Sequence, residues 1–175
     1  MNEWEAIHQS RHWGTYPEVY AVRQVKAFMA SRQPRGVEAL DIGCGVGAHS
    51  WMMSREGMVV TAIDVSPTAV ARLPQVAPGV IALVRDVRDM EFHAGSFDFI
   101  LDNLSLTHVE KPPLDRILSW LRPGGRLVSA SFLVPPPGAP KSWPVSIGTR
   151  IETHTREVDG HTHVIGLGRY DKPTE

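Results

Sequence analysis

Leu40-Asp41-Ile42-Gly43-Cys44-Gly45-Val46-Gly47 closes an apolar run that starts at Val37 and opens onto a helical stretch from about Ala48 to Glu56. A strand, a glycine cluster and a helix in immediate succession form the layout of a nucleotide cradle in an open α/β sheet. Glycines let the backbone turn tightly and approach a ligand at the carboxyl end of the first strand. The glycines alone discriminate poorly, since Gly43-x-Gly45-x-x-Ala48 also satisfies a loose dinucleotide pattern. Charge separates the candidates. Asp41 stands two residues before the first glycine, where its carboxylate would repel the pyrophosphate of a dinucleotide in a poorly screened cleft. A ligand that lacks phosphate and carries positive charge suits the position better.

Outward from this stretch the chain alternates strands and helices. Upstream, Trp4 to Tyr20 reads as a short helix and a turn, followed by an amphipathic helix from about Pro17 to Ala30. Downstream, Met58 to Ile63 is a strand, and Pro67 to Leu73 a short helix ended by Pro74. Val80 to Val84 and Phe97 to Leu101 are further strands. Pro113 to Leu121 is a helix closed by Arg122-Pro-Gly-Gly, and Arg126 to Phe132 is a fifth strand. Each strand is a short apolar run without polar alternation, which implies a mostly parallel sheet covered on both faces. Right-handed crossovers then give a doubly wound, Rossmann-like fold. The chain ends in a hairpin, Ile151 to Val158 and His161 to Tyr170, turning at Asp159-Gly160.

Composition bounds the function. A chain of 175 residues, 42% hydrophobic and 21% charged, suits one domain with a single core. Eighteen Lys and Arg against 19 Asp and Glu leave a net charge of −1, without the basic excess that nucleic-acid or anionic-lipid binding requires. No apolar run approaches the roughly 20 residues of a membrane helix, so a soluble, cytoplasmic protein is expected. The single Cys44 excludes an internal disulfide framework.

Taken together, these stations resemble the class I S-adenosylmethionine-dependent methyltransferases. Leu40 to Gly47 is similar to the family's first motif, a strand ending in D-x-G-x-G-x-G. Ile63-Asp64-Val65-Ser66 falls where the family's acidic residue takes both ribose hydroxyls and the next apolar residue covers the adenine. Arg85-Asp86-Val87 matches the adenine edge, Phe97 to Val109 the fourth-strand motif with Asp102, Asn103 and His108, and Leu118 to Leu127 the entry to the fifth strand. The resemblance covers roughly residues 17 to 132 and implies S-adenosylmethionine as cofactor. It places Asp41, Gly43, Cys44, Gly45, Gly47, Asp64, Val65, Asp86, Val87, Asp102 and Asn103 at the donor. Chemistry supports Asp64 independently, because a carboxylate at a strand end accepts two hydrogen bonds from a vicinal diol.

Methyl transfer from a sulfonium is an in-line displacement, in which alignment does much of the work and a base is needed only if the acceptor loses a proton. His108 has the pKa range for that base, against a structural role in the fold. Trp13, His12 and Tyr16, from a helical segment spanning residues 1–35, are acceptor-side candidates, and Trp13 and Tyr16 either lid the donor or pack the N-terminal helices. Asn103 and Ser105 join them on the acceptor side. The expected function is methyl transfer to an O, N or C nucleophile of a small molecule. The alternatives are a non-catalytic donor-binding scaffold and, on the same fold, an NAD(P)-dependent reductase. In the hairpin, His154, His161 and His163 share one face with Arg156, which would repel a cation, so a polar solvent-facing pair is expected rather than a metal site.

One segment departs from the family. Val134 to Pro144 holds five of the fourteen prolines, so the usual helix before the hairpin is replaced by a Pro-rich loop over residues 133–150. The sheet face left without that helix is expected to be apolar and covered by Trp143, Val145 and Ile147 or by a second copy of the chain.

Overall fold

Phe97-Asp-Phe-Ile-Leu and Val59-Val-Thr-Ala-Ile have no polar side to turn to water, and both are interior strands of one seven-stranded sheet, the first at its centre and the second one strand in from an edge. The computed structural model describes residues 3–10, 14–33, 36–133, 149–158 and 161–175. Helices α1 (Glu3–Ser10) and α2 (Val19–Met29) precede β1 (Glu38–Ile42), α3 (Ala48–Arg55), β2 (Val59–Asp64), α4 (Pro67–Val76), β3 (Ile81–Val84) and β4 (Phe97–Asn103). A 3₁₀ turn (Leu106–His108), α5 (Leu114–Trp120), β5 (Leu121–Phe132), β6 (Thr149–Val158) and β7 (His161–Asp171) complete the order. The strands lie β3-β2-β1-β4-β5-β7-β6, parallel through β5, with β7 antiparallel to β5 and β6 antiparallel to β7. The direction of winding reverses between β1 and β4, which is where an open α/β sheet forms its binding crevice.

The two faces have separate cores. Helices α2 and α3 bury Phe28 and Met53 against Ala39, Phe99 and Val128. On the other face, α5 buries Ile117 and Trp120 against Leu40, Ile100 and Leu127, and the segment from β3 to β4 adds Val87, Met90 and Phe92. The Phe92 ring stands edge-on to both Phe97 and Trp120 at 4.9 and 5.1 Å.

Two element boundaries differ from the sequence reading. Helix α4 continues through Pro74 to Val76: the proline forfeits only the bond its N–H would have made to the preceding turn, while Leu73 and Ala77 on either side are both buried. Arg122-Pro-Gly-Gly does not separate helix from strand. It is an irregularity within β5, where pairing with β4 slips between Phe97 and Phe99. A Cβ on Gly125 would meet the carbonyl oxygens of Arg122 and Asp98 at 2.9 and 3.0 Å. Gly125→Ala is therefore expected to cost about 1–3 kcal/mol, read as a lower urea midpoint; an unchanged midpoint would show that the bulge yields without penalty.

The hairpin register is the one counted from the sequence, Val158 opposite His161 and Arg156 opposite His163. Its His154 face is not solvent-facing, however. His154 stacks on Tyr20 of α2 at 5.4 Å, and its cross-strand neighbour Ile165 is buried. The side chains of Arg156, His161 and His163 lie outside the described residues, as do Trp143, Val145, Ile147 and most of the Pro-rich segment. On the sheet face over β5, β7 and β6, Ser129, Ser131 and Gly166 are buried, and Leu133 lies against Gly166. Among the described residues no helix is long and apolar enough to cross a membrane.

Candidate functional site

A cavity of about 510 Å³ lies at the carboxyl ends of β1, β2, β3, β4 and β5. Its floor is the glycine loop. Gly43 and Cys44 donate their N–H groups to the Ile63 carbonyl at 2.8 and 3.0 Å, which closes the loop onto the end of β2. Gly43 adopts φ +67°, and a Cβ there would lie 2.1 Å from Ser105 Oγ, so glycine is what lets the loops after β1 and β4 meet.

Asp64 ends β2 with its carboxylate held at both oxygens. Gly45 N–H donates to Oδ2 and Ser66 N–H to Oδ1, each at 2.9 Å. Each oxygen keeps a second acceptor direction, which is what a diol requires. Val65, Asp86 and Val87 line the same wall. Asp86 is engaged by Arg88 through both its oxygens at 2.6–3.1 Å, and these hydrogen bonds hold its pKa below the usual carboxylate value.

Of the residues expected at the donor, Asp41, Gly47 and Asp102 are not among those that line the cavity. The reason is the alternation of side chains along a strand. Asp41 points beneath α3, where Ser50 Oγ donates to it at 2.5 Å. Asp102 points to the opposite face and accepts from Ser129 Oγ at 2.6 Å and from the N–H groups of Ser105 and Leu106 at 2.9 Å. That last pair holds the bend after β4, in which Leu104 takes φ +65°, uncommon for a residue with a side chain. The bend presents Asn103, Leu104 and Ser105 to the cavity, and Tyr20 Oη donates to Asn103 Oδ1.

Burial pushes Asp41 up to about 7, with Asp64 and Asp102 adding repulsion, and pushes Asp102 up to about 6. Among the described residues no Lys or Arg forms an ion pair with Asp41, Asp64 or Asp102. Three carboxyls beside the glycine loop favour a cation over a pyrophosphate. Burial also raises the Cys44 thiol, which makes it a space-filling wall rather than a nucleophile.

The other end is aromatic. Trp4 of α1 stands edge-on to His108 at 4.7 Å, and Phe132 approaches His108 from β5 at 6.1 Å. Burial lowers the His108 pKa, opposed by the charge of Glu3. Tyr16 reaches the rim and is 91% exposed; His12 and Trp13 lie outside the described residues. The cover comes from residues the sequence reading passed over. Trp4 and His8 are one turn apart on α1, and that i, i+4 spacing was the available signal. His49 also lines the cavity, accepting the Glu18 N–H on Nε2 at 3.2 Å, and burial lowers its pKa to about 4. Among the described residues no three His, Cys, Asp or Glu side chains are grouped to hold a metal ion.

An open sheet of this order, with a glycine loop and a strand-end carboxylate at its crevice, defines a Rossmann-like methyltransferase domain. Residues 39–125 match the family model described as a methyltransferase domain. With the ordered motifs around it, the chain belongs to the class I S-adenosylmethionine-dependent methyltransferases. It is 37% identical over 130 residues to a ubiquinone biosynthesis O-methyltransferase of Xanthomonas axonopodis pv. citri, covering 67% of this chain and 54% of that relative. The chain thus spans about half the length of the curated relatives it matches. Among solved structures, the plantazolicin methyltransferase BpumL in complex with SAH shares the fold at TM-score 0.58 and 24% identity, over 64% of this chain and 45% of that one. A structure described as "Conversion of a Disulfide Bond into a Thioacetal Group during Echinomycin Biosynthesis" shares it at TM-score 0.72 and 19% identity, over 98% and 92% of the two chains.

Proposed function

We propose that this chain binds S-adenosylmethionine in the 510 Å³ cavity and transfers its methyl group to a hydroxyl of a small, planar acceptor. The observation that carries the reading is Asp64, buried and held to the glycine loop with acceptor directions left on both oxygens. The SAH complex of the BpumL neighbour supports the donor, and the O-methyltransferase relative supports an oxygen nucleophile. When bound, the donor supplies an electrophilic methyl on a sulfonium. The residues here do the remaining work: Asp64 fixes the ribose, Gly43 and Gly45 admit close approach, and Trp4 and Phe132 flank a flat acceptor. On the acceptor side His108 would take the hydroxyl proton as the oxygen is methylated, its pKa lowered by burial.

The test is release of S-adenosylhomocysteine (SAH) across a panel of hydroxylated aromatics and aliphatic amines. Turnover is expected with the former, and His108→Ala should lower kcat by roughly 100-fold while leaving SAH affinity within about twofold. Equal turnover in that variant would remove His108 from the chemistry. Binding of SAH with no turnover on any acceptor would favour the scaffold reading.

A further inference from the structure

Helix α1 is tied to α4 at two successive turns. Glu5 Oε2 accepts from Ser66 Oγ at 2.5 Å and from the Thr68 N–H at 3.1 Å, and its Oε1 accepts from Thr68 Oγ1 at 2.6 Å and Gln9 Nε2 at 2.9 Å. One turn later, Arg72 Nη1 donates to the His8 carbonyl at 2.9 Å. The Glu5 bonds complete a helix cap that α4 begins for itself. Ser66 Oγ takes the Ala69 N–H, and Glu5 takes the Thr68 N–H left over, placing a carboxylate at the positive end of α4. These bonds hold the Glu5 pKa at about 2, so the tie stays charged at physiological pH.

Ser66 is also the residue whose N–H holds Asp64. The same carboxylate holds Gly45, and the His8 ring lies over Gly45, 3.6 Å from where a Cβ would stand. Glu5, Ser66, Asp64, Gly45 and His8 therefore form a closed circuit around one edge of the cavity. His8 is 5% exposed and lines the cavity wall, and Trp4 extends the same helix across to His108.

We propose that α1 is a latched wall of the donor site: His8 is a donor-contacting residue, and Glu5 is the positioning residue that locks it there through Ser66 and Thr68. The inference rests on the donor reading above. With α1 in place His8 walls the cavity beside Gly45 and Asp64, so release of a bound nucleoside is expected to speed up when the latch is broken.

The experiment follows SAH dissociation by stopped-flow chase, with affinity by calorimetry, for the full chain and for Glu5→Ala, Glu5→Gln and His8→Ala. Release is expected to be about tenfold faster in Glu5→Ala, intermediate in Glu5→Gln, which keeps one acceptor oxygen, and weakened binding is expected in His8→Ala. Thermal unfolding of each variant separates release from fold stability: faster release at an unchanged unfolding midpoint is expected of the latch. Should Glu5→Ala fail to fold, Thr68→Val removes a latch hydroxyl and should also speed release. Wild-type release rates in all variants, with SAH bound normally, would overturn the latch and leave the donor reading standing. Failure of the unaltered chain to bind SAH would overturn both.

Discussion

Asp64→Ala is expected to weaken SAH binding by about 1.5–3 kcal/mol, or roughly 10- to 150-fold in dissociation constant. Two charge-assisted hydrogen bonds to a vicinal diol would be lost, and the N–H groups of Gly45 and Ser66 would lose the oxygens that order them. The second effect separates this substitution from a simple contact deletion, because the glycine loop loses one of its ties to β2, the Gly45 bond, while those of Gly43 and Cys44 to the Ile63 carbonyl remain. Asp64→Asn keeps one acceptor and should fall between wild type and Ala. Calorimetry reads both values, and an unchanged dissociation constant in Asp64→Ala would remove this residue from the donor site.

Asp41→Asn is expected to stabilise the protein above neutral pH. Asp41 is 1% exposed, and its pKa rises from 3.8 unfolded to about 7 folded. The sign follows from proton binding: the folded state holds this proton more tightly, so stability is greatest below the unfolded pKa and falls as pH rises from about 4 to about 7. The difference of about three in pKa, at about 1.36 kcal/mol each, bounds the penalty near 4 kcal/mol. The amide fits the same space and still accepts from Ser50, so about 2–4 kcal/mol should be recovered at pH 8 and almost none below pH 4. Thermal unfolding at the two pH values reads this directly, and an equal change at both would show that burial of the charge is not the cause. The gain in stability has a functional cost. Removing a negative charge beneath the glycine loop should weaken binding of the sulfonium donor more than that of SAH, whose sulfur is uncharged.

The glycine loop and Asp64 were legible because each occupies a strand end that the apolar runs mark out: Val37 to Ile42 before Gly43, and Met58 to Ile63 before Asp64. Asp41 and Asp102 stand off the cavity walls for a reason the same runs explain. Strands buried on both faces carry no polar alternation, so nothing in Ala39-Leu40-Asp41-Ile42 says whether the carboxyl faces α3 or the ligand. Position along the chain was readable and direction was not. The role of α1 was hidden differently. Its Trp4 and His8 spacing is visible, but the partners of Glu5 stand 61 and 63 residues away and are brought to it only by the crossover from β2 to α4. Pro74 and Arg122-Pro-Gly-Gly mark local breakpoints that packing overrides, one within a helix anchored by Leu73 and the other within a strand whose bulge requires Gly125.

On the reading proposed above, the crevice between β1 and β4 accepts a cationic, phosphate-free nucleoside. Calorimetric titration of the unaltered chain with S-adenosylmethionine, SAH, NADH and NADPH decides this. Saturable binding of both sulfur ligands at one site is expected, and none of the dinucleotides. Tight binding of NADH or NADPH without binding of either sulfur ligand would contradict it.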